Sequence, residues 1–194
     1  MEAITIPQGF KITPKQFEQL ANAEQIARME LTKDGELIVM SPTGGTAGRR
    51  NFNLYLDLGS WNRQTKLGEA FDSSTTFTLP NGARRSPDVS WIKLERWNQL
   101  TQIQQDGFPP IAPDFVIELV SPSDLKNQRY EDLQAKMQEY LDNGVKLGWL
   151  IEPAAKTVEI YRIGQAVEVL NNPQTLSGED TLPEFMLDLT AIFG

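Results

Sequence analysis

The run Phe115-Val116-Ile117-Glu118-Leu119-Val120 restricts the fold of this chain more than any other segment. Its apolar residues do not alternate with polar ones. That is the pattern of a strand covered on both faces, which belongs at the centre of a layered α/β sheet. Glu118 alone interrupts the run. An ionised carboxylate buried without a partner costs several kcal/mol, so the fold has to bring a cation, a metal or a donor network to that position.

The flanking sequence supplies the layers. Ser121-Pro122-Ser123-Asp124 leads into a predicted helix from Arg129 to Asp142, with Leu133, Met137 and Leu141 on one stripe and Asn143-Gly144 at its end. Leu147 to Ile151 is again a strand, so 115–151 reads as a βαβ crossover between parallel strands. Val158 to Ile163 and a shorter segment near Val167 to Leu170 add two more strands.

Upstream, Thr13-Pro14-Lys15-Gln16 has the residues of a capping box with proline in the first turn, which predicts a helix to about Asn22. Lys33-Asp34-Gly35 between Arg28–Leu31 and Glu36–Met40 predicts an antiparallel hairpin carrying Glu30. Asn51, Leu54, Leu58 and Trp61 recur at helical spacing from about Ala47 to Arg63. Gly68 to Ser73, Ser74 to Leu79 and Asp88 to Ile92 read as short strands, and Glu95 to Gln105 as a polar helical excursion. With 194 residues and no internal repeat or linker, the expectation is one α/β domain over 1–194, a mixed sheet flanked by helices.

Composition narrows the chemistry. There is no cysteine and no histidine, which excludes disulfides, thiolate nucleophiles, Cys/His zinc sites and a Ser-His-Asp triad. A metal site has to be built from oxygen donors, which suit magnesium or manganese. A general base has to be a carboxylate, lysine, tyrosine or an activated water. The first residues lack a signal-peptide pattern and no stretch has the length of a membrane span, so a cytoplasmic protein without a membrane partner is expected. A formal net charge of −8 opposes indiscriminate binding of nucleic acid, although a local basic cleft is compatible with it.

Two carboxylates stand in unusual places: Asp88 after Pro87 at a strand start, and Glu118 late in the central strand. If the strands are neighbours, both emerge at one sheet end and can share a cation. Pro-Asp followed by Glu-X-X on the next long strand resembles the PD-(D/E)XK superfamily of restriction enzymes, except that Val120 stands where that motif has lysine.

The wider pattern resembles the Uma-type restriction endonucleases, a large bacterial family of that superfamily. The matching elements are Glu30 before Asp34-Gly35-Glu36-Leu37, then Ser41-Pro42, Pro87-Asp88 and Ile117-Glu118-Leu119-Val120-Ser121-Pro122-Ser123. Asp132, Lys136 and Tyr140 follow at four-residue spacing, then Gly144-Val145 before Trp149-Leu150-Ile151. The match runs from Met29 to Pro153, and it departs from many members in having no histidine between Thr46 and Arg50.

The resemblance implies a restriction-endonuclease-like fold and a metal-dependent endonuclease acting on nucleic acid, with DNA favoured and a homodimer expected. It implies that Asp88 and Glu118 hold Mg2+ or Mn2+, with Glu30 as a further carboxylate, and that Lys136 has taken over from the motif lysine. Asp132 and Tyr140 would support Lys136 from behind. Arg49-Arg50 and Arg84-Arg85 are the candidates for phosphate contacts.

Plainer readings stand beside these. Asp88 can cap a turn, Glu118 can form a structural ion pair with Lys136 or an arginine, and Asp132 with Lys136 can be a surface i,i+4 pair. Tyr140 can pack on the sheet, and paired arginines are usually solvated or salt-bridged. The alternative function is a catalytically inactive nuclease-fold domain that binds or assembles, since a fold does not fix a function.

Overall fold

The structure is a computed structural model that describes residues 9–23, 28–40, 42–121, 124 and 129–194. Ser41, Pro122 and Ser123 of the pattern above, and the first eight residues, lie outside the described residues.

The amino-terminal part comprises helix α1 (Pro14–Ala23), strands β1 (Arg28–Leu31) and β2 (Leu37–Met40), and helix α2 (Gly45–Thr65). The expected capping box forms, with the Thr13 amide donating to Gln16 Oε1 at 2.8 Å and the Gln16 amide to Thr13 Oγ1 at 3.3 Å. Gly35 takes φ +83° in the hairpin turn, a conformation that suits glycine. Short strands follow: β3 (Gly68–Asp72), β4 (Phe77–Thr78), β5 (Arg84–Arg85) and β6 (Val89–Lys93). The expected excursion divides into α3 (Leu94–Trp97) and α4 (Gln102–Asp106), because Thr101 and Gln104 make a second capping box that starts a new helix.

The carboxyl-terminal half contains β7 (Phe115–Leu119), α5 (Arg129–Asp142), β8 (Leu147–Glu152), β9 (Thr157–Arg162) and β10 (Glu168–Asn171). It closes with β11 (Thr175–Ser177), β12 (Met186–Asp188) and α6 (Thr190–Phe193), which no periodicity in the sequence announces. Their apolar residues Leu176, Leu187 and Ile192, with Phe185 stacked 6.2 Å from Trp149, extend the main core.

The central sheet has the order β10-β9-β8-β7-β6-β3. β7 and β8 are parallel, from Phe115↔Leu147 to Leu119↔Ile151, as the crossover requires, whereas β6 pairs antiparallel with β7 from Val89↔Ile117 to Trp91↔Phe115. Period-two alternation divides β7 between two cores. Phe115, Ile117 and Leu119 pack with Leu54 and Leu58 of α2, while Val116 and Val120 pack with Met137 and Tyr140 of α5. Glu118 therefore faces α5. Gly148 permits that approach, because a Cβ there would lie 2.6 Å from Met137 Cε.

The hairpin does not join this sheet. It heads a separate sheet, β2-β1-β5-β4, and its Met29, Leu31 and Leu37 form a small core with Phe17 of α1. With Met29 and Leu31 turned to α1, Glu30 points the other way. The Arg84-Arg85 segment, outside the strands read from the sequence, is the short strand that binds this sheet together through Leu31↔Arg84. Among the described residues no helix is long and apolar enough to cross a membrane.

Candidate active site

Three elements converge on one buried polar cluster. β7 contributes Glu118, only 4% exposed, and α5 contributes Lys136 and Tyr140 one turn apart. Lys136 Nζ lies 2.8 Å from Glu118 Oε1, and the Tyr140 hydroxyl donates to the same oxygen at 3.0 Å. The ammonium also sits 5.8 Å from the Tyr140 ring centroid, within cation–π range. β1 delivers Glu30, whose Oε1 is 2.8 Å from Lys136 Nζ and accepts the Ser86 amide at 2.9 Å.

Glu30 is held from behind. Its Oε2 accepts from Arg85 Nη1 at 3.0 Å, and Arg85 Nε donates to Glu139 Oε2 at 2.6 Å. Asn81 Nδ2 fixes the other Glu139 oxygen at 3.0 Å, so a continuous chain of charged hydrogen bonds runs from Asn81 to Glu118. Asp88 stands just before β6. Its Oδ2 accepts the Leu119 amide at 2.9 Å and its Oδ1 accepts Asn51 Nδ2 of α2 at 3.1 Å. Since Val89 pairs with Ile117, Asp88 continues the antiparallel register opposite Glu118.

The charges are not balanced. Lys136 and Arg85, with the charge of Arg28 also acting on Asp88, face four carboxylates, Glu30, Glu118, Asp88 and Glu139, and Asp88 has no ion pair among the described residues. Burial pushes the Glu118 carboxyl up to about 7; Lys136 opposes the shift, and the charges of Asp88 and Glu30 add to it. Burial also raises Asp88, against the Leu119 amide and the charge of Lys136. Glu30 is likewise penalised by burial, but Lys136 and Arg85 overcome this and hold it below the usual carboxylate range. Lys136 is desolvated too, yet the charges of Glu118 and Glu30 raise it, so its ammonium stays protonated.

A family model for Uma2, described as "Putative restriction endonuclease", matches residues 14–190. The chain belongs to the Uma2 family. A solved structure with the same fold is a "putative nuclease belonging to DUF820" from Anabaena variabilis ATCC 29413. It has a TM-score of 0.69 and 24% identity, with coverage of 85% of this chain and 89% of that one. No curated protein matches the chain at a significant level. The family model supports a nuclease-like function, and the solved structure shows the restriction-endonuclease-like mixed α/β architecture expected above.

Within this Uma2 chain several expected side chains take other positions. Glu30, expected as a further metal ligand, has its oxygens in contact with Lys136, the Ser86 amide and Arg85. Arg84 and Arg85, expected at phosphates, are buried. Arg84 pairs with Glu18 at 2.8 Å, and Arg85 is held between Glu30 and Glu139. The exposed Arg49 donates to the backbone oxygens of Ala191 and Gly194, which fastens α2 to the end of the chain; Arg50 is half-buried with its Nε unbonded. Asp132, expected to support Lys136, is exposed, and Lys136 turns inward to Glu30 and Glu118, so the surface i,i+4 pair of the plainer reading is replaced by buried ones.

Asn51, Arg85 and Glu139 were missed in these roles. Asn51 carried a readable signal, since it is a polar residue at the head of the Leu54-Leu58-Trp61 stripe.

Among the described residues no group of three or more carboxylates forms a ready-made cation cage. The donor set nevertheless suits one hard divalent ion. No described residue hydrogen-bonds Glu118 Oε2, each Asp88 oxygen has one donor, and Asn51 Oδ1 is buried without a partner. These are oxygen donors in a site with excess negative charge.

Proposed function

We propose that this Uma2 chain is a divalent-metal-dependent endonuclease that hydrolyses phosphodiester bonds in nucleic acid, DNA being the favoured substrate. The observation that carries the proposal is the buried triad of Glu118, Lys136 and Glu30, with Nζ 2.8 Å from both carboxylates and Asp88 beside it with no cation of its own. Asp88 and Glu118 would hold Mg2+ or Mn2+, which when bound supplies Lewis acidity to a phosphate oxygen and acidifies a water.

The protein's own groups do the rest. Lys136 has three N–H donors, of which Glu30 and Glu118 take two; the third is left for a phosphate oxygen or the attacking water. Glu30, fixed by Arg85, keeps that ammonium in place. Tyr140, a neutral donor held far above its ordinary pKa by burial and by Glu118, fixes one oxygen of Glu118. Asp88 is aimed by Asn51 and the Leu119 amide.

A homodimer would present two such sites to two strands, and the bacterial cytoplasm offers both magnesium and DNA. The acidic chain, at −8, predicts weak non-specific binding and activity that falls with salt. The closed chain of ion pairs from Arg85 to Glu118 equally suits an inactive binding or assembly module.

The deciding experiment incubates supercoiled plasmid and single-stranded DNA with Mn2+ or Mg2+, and follows thermal unfolding with and without Mn2+. Cleavage abolished in Asp88→Ala, with Mn2+ raising the midpoint of the wild type but not of Glu118→Ala, supports the nuclease. A Mn2+ shift without cleavage leaves the binding module. No shift in the wild type overturns the metal site.

A further inference from the structure

Asn51 is doubly constrained. Helix α2 is anchored through Leu54 and Leu58, both fully buried, so the residue one turn earlier cannot move far from the sheet end. Its Nδ2 donates to Asp88 Oδ1 at 3.1 Å, and this fixes which way the amide lies, because the reversed amide would set an oxygen against a carboxylate. Asn51 Oδ1 is then left buried with no hydrogen bond among the described residues.

The other buried atoms without a hydrogen bond differ from it. Those of Arg28, Arg50, Arg84, Arg96 and Trp149 are donors, Ser90 Oγ can donate, and Asp114 Oδ1 has the Lys146 ammonium at 2.8 Å. Asn51 Oδ1 can only accept, and it sits beside the one carboxylate of the cluster that lacks a cation. An orphaned acceptor is costly in a folded protein and points to a guest that supplies positive charge or polarised hydrogens.

We infer that Asn51 is a metal-site residue: its amide nitrogen aims Asp88 while its amide oxygen serves as a further oxygen donor to the divalent cation of Asp88 and Glu118. This rests on the metal-dependent reading above. It gives the site a neutral oxygen in place of a third carboxylate, and it assigns α2 a role in cation binding that neither the Pro-Asp nor the Glu-X-X segment contains. Hard cations accept amide oxygens readily, directly or through one of their waters.

The test measures Mn2+ binding to chelator-treated full-length protein by titration calorimetry and by the electron paramagnetic resonance signal of free Mn2+, for the wild type, Asn51→Leu and Asn51→Asp. Metal-free thermal midpoints check folding. The inference expects Asn51→Leu to weaken Mn2+ binding by about tenfold or more. Asn51→Asp, which keeps an oxygen and loses the amide N–H, should bind at least as tightly as the wild type and gain more stability from Mn2+. Wild-type affinity in Asn51→Leu overturns the inference. So does an equal loss in Asn51→Asp and Asn51→Leu, which would mean that only the N–H to Asp88 mattered. If Asn51→Leu does not fold, the direction of the change in Asn51→Asp decides. Absence of Mn2+ binding by the wild type is a different result, since it removes the metal reading itself.

Discussion

Asp114 and Glu118 stand at opposite ends of one central strand, 1% and 4% exposed, and their surroundings treat negative charge in opposite ways. Asp114 receives Arg96 Nη1 and Lys146 Nζ, each at 2.8 Å, and the Lys93 amide at 2.9 Å. Burial works against its ionisation, but Lys146, the Lys93 amide and Arg96 prevail and hold it below the usual range. Glu118 shares its single cation with Glu30 and has Asp88 as a neighbour, and burial leaves it raised. Burial of a carboxylate therefore does not by itself set its charge state. The distinction lies in whether the fold supplies more positive charge than the carboxylate needs, as around Asp114, or less, as around Glu118.

Removing the cation at each end should break the symmetry most visibly. Lys136 is 11% exposed at its side chain and lies between two buried carboxylates. Lys136→Ala leaves both uncompensated and should cost about 3–5 kcal/mol in urea unfolding at pH 8. Protonation of Glu118 would relieve part of that, so the loss should shrink toward pH 5. A loss independent of pH would mean that packing of the lysine stem, not charge, is what α5 contributes.

Neutral isosteres should move stability in opposite directions. Glu118 has its folded value raised from 4.5 to about 7, so between these values the native state holds the extra proton and stability falls as pH rises. Glu118→Gln removes that penalty while its amide oxygen still accepts from Lys136 and Tyr140. It should be more stable than the wild type at pH 8, by about 1–3 kcal/mol. Asp114 has a folded value below its ordinary 3.8, so its contribution is fully present above that value and is lost as pH falls through the folded one. Asp114→Asn should destabilise by about 1–3 kcal/mol throughout pH 5–8, since it removes the charge that Arg96 and Lys146 pair with. Thermal midpoints across that range measure both, and changes of the same sign would erase the distinction between the two ends.

How far the sequence reveals this contrast depends on local context. Glu118 is legible because it breaks an otherwise apolar strand, and the parallel β7–β8 pair is legible because the helix between them is long and periodic. Asp114 follows Pro113 outside the apolar run, where an aspartate looks like an ordinary turn residue, so its burial is hidden. Lys136 has Asp132 four residues before it, and local rules favour a surface pair; only the family pattern turns it inward. Arg84-Arg85 is hidden in another way, since two arginines before Ser-Pro have the composition of an exposed turn, and only tertiary pairing with Glu18, Glu30 and Glu139 makes them a buried strand. The segment from Thr175 onward uses strands of three residues with one buried side chain each, too short for any period to register.

The smallest expected effect is the most useful control. Lys146 contacts Asp114 at 2.8 Å, as closely as Lys136 contacts Glu118, but its side chain is 52% exposed. Solvent screens this pair; Arg96 and the Lys93 amide continue to hold Asp114 Oδ2 when the lysine is gone, and water replaces the half-exposed ammonium at Oδ1. Lys146→Ala should therefore cost about 0–1 kcal/mol. Added salt should shrink the difference from wild type further, while leaving the Lys136→Ala difference nearly intact, because buried charges are screened far less. Equal losses for the two lysines would show that distance alone sets the strength of these pairs. Unequal losses at equal distance would locate the cause in burial and in the number of cations each carboxylate can call on.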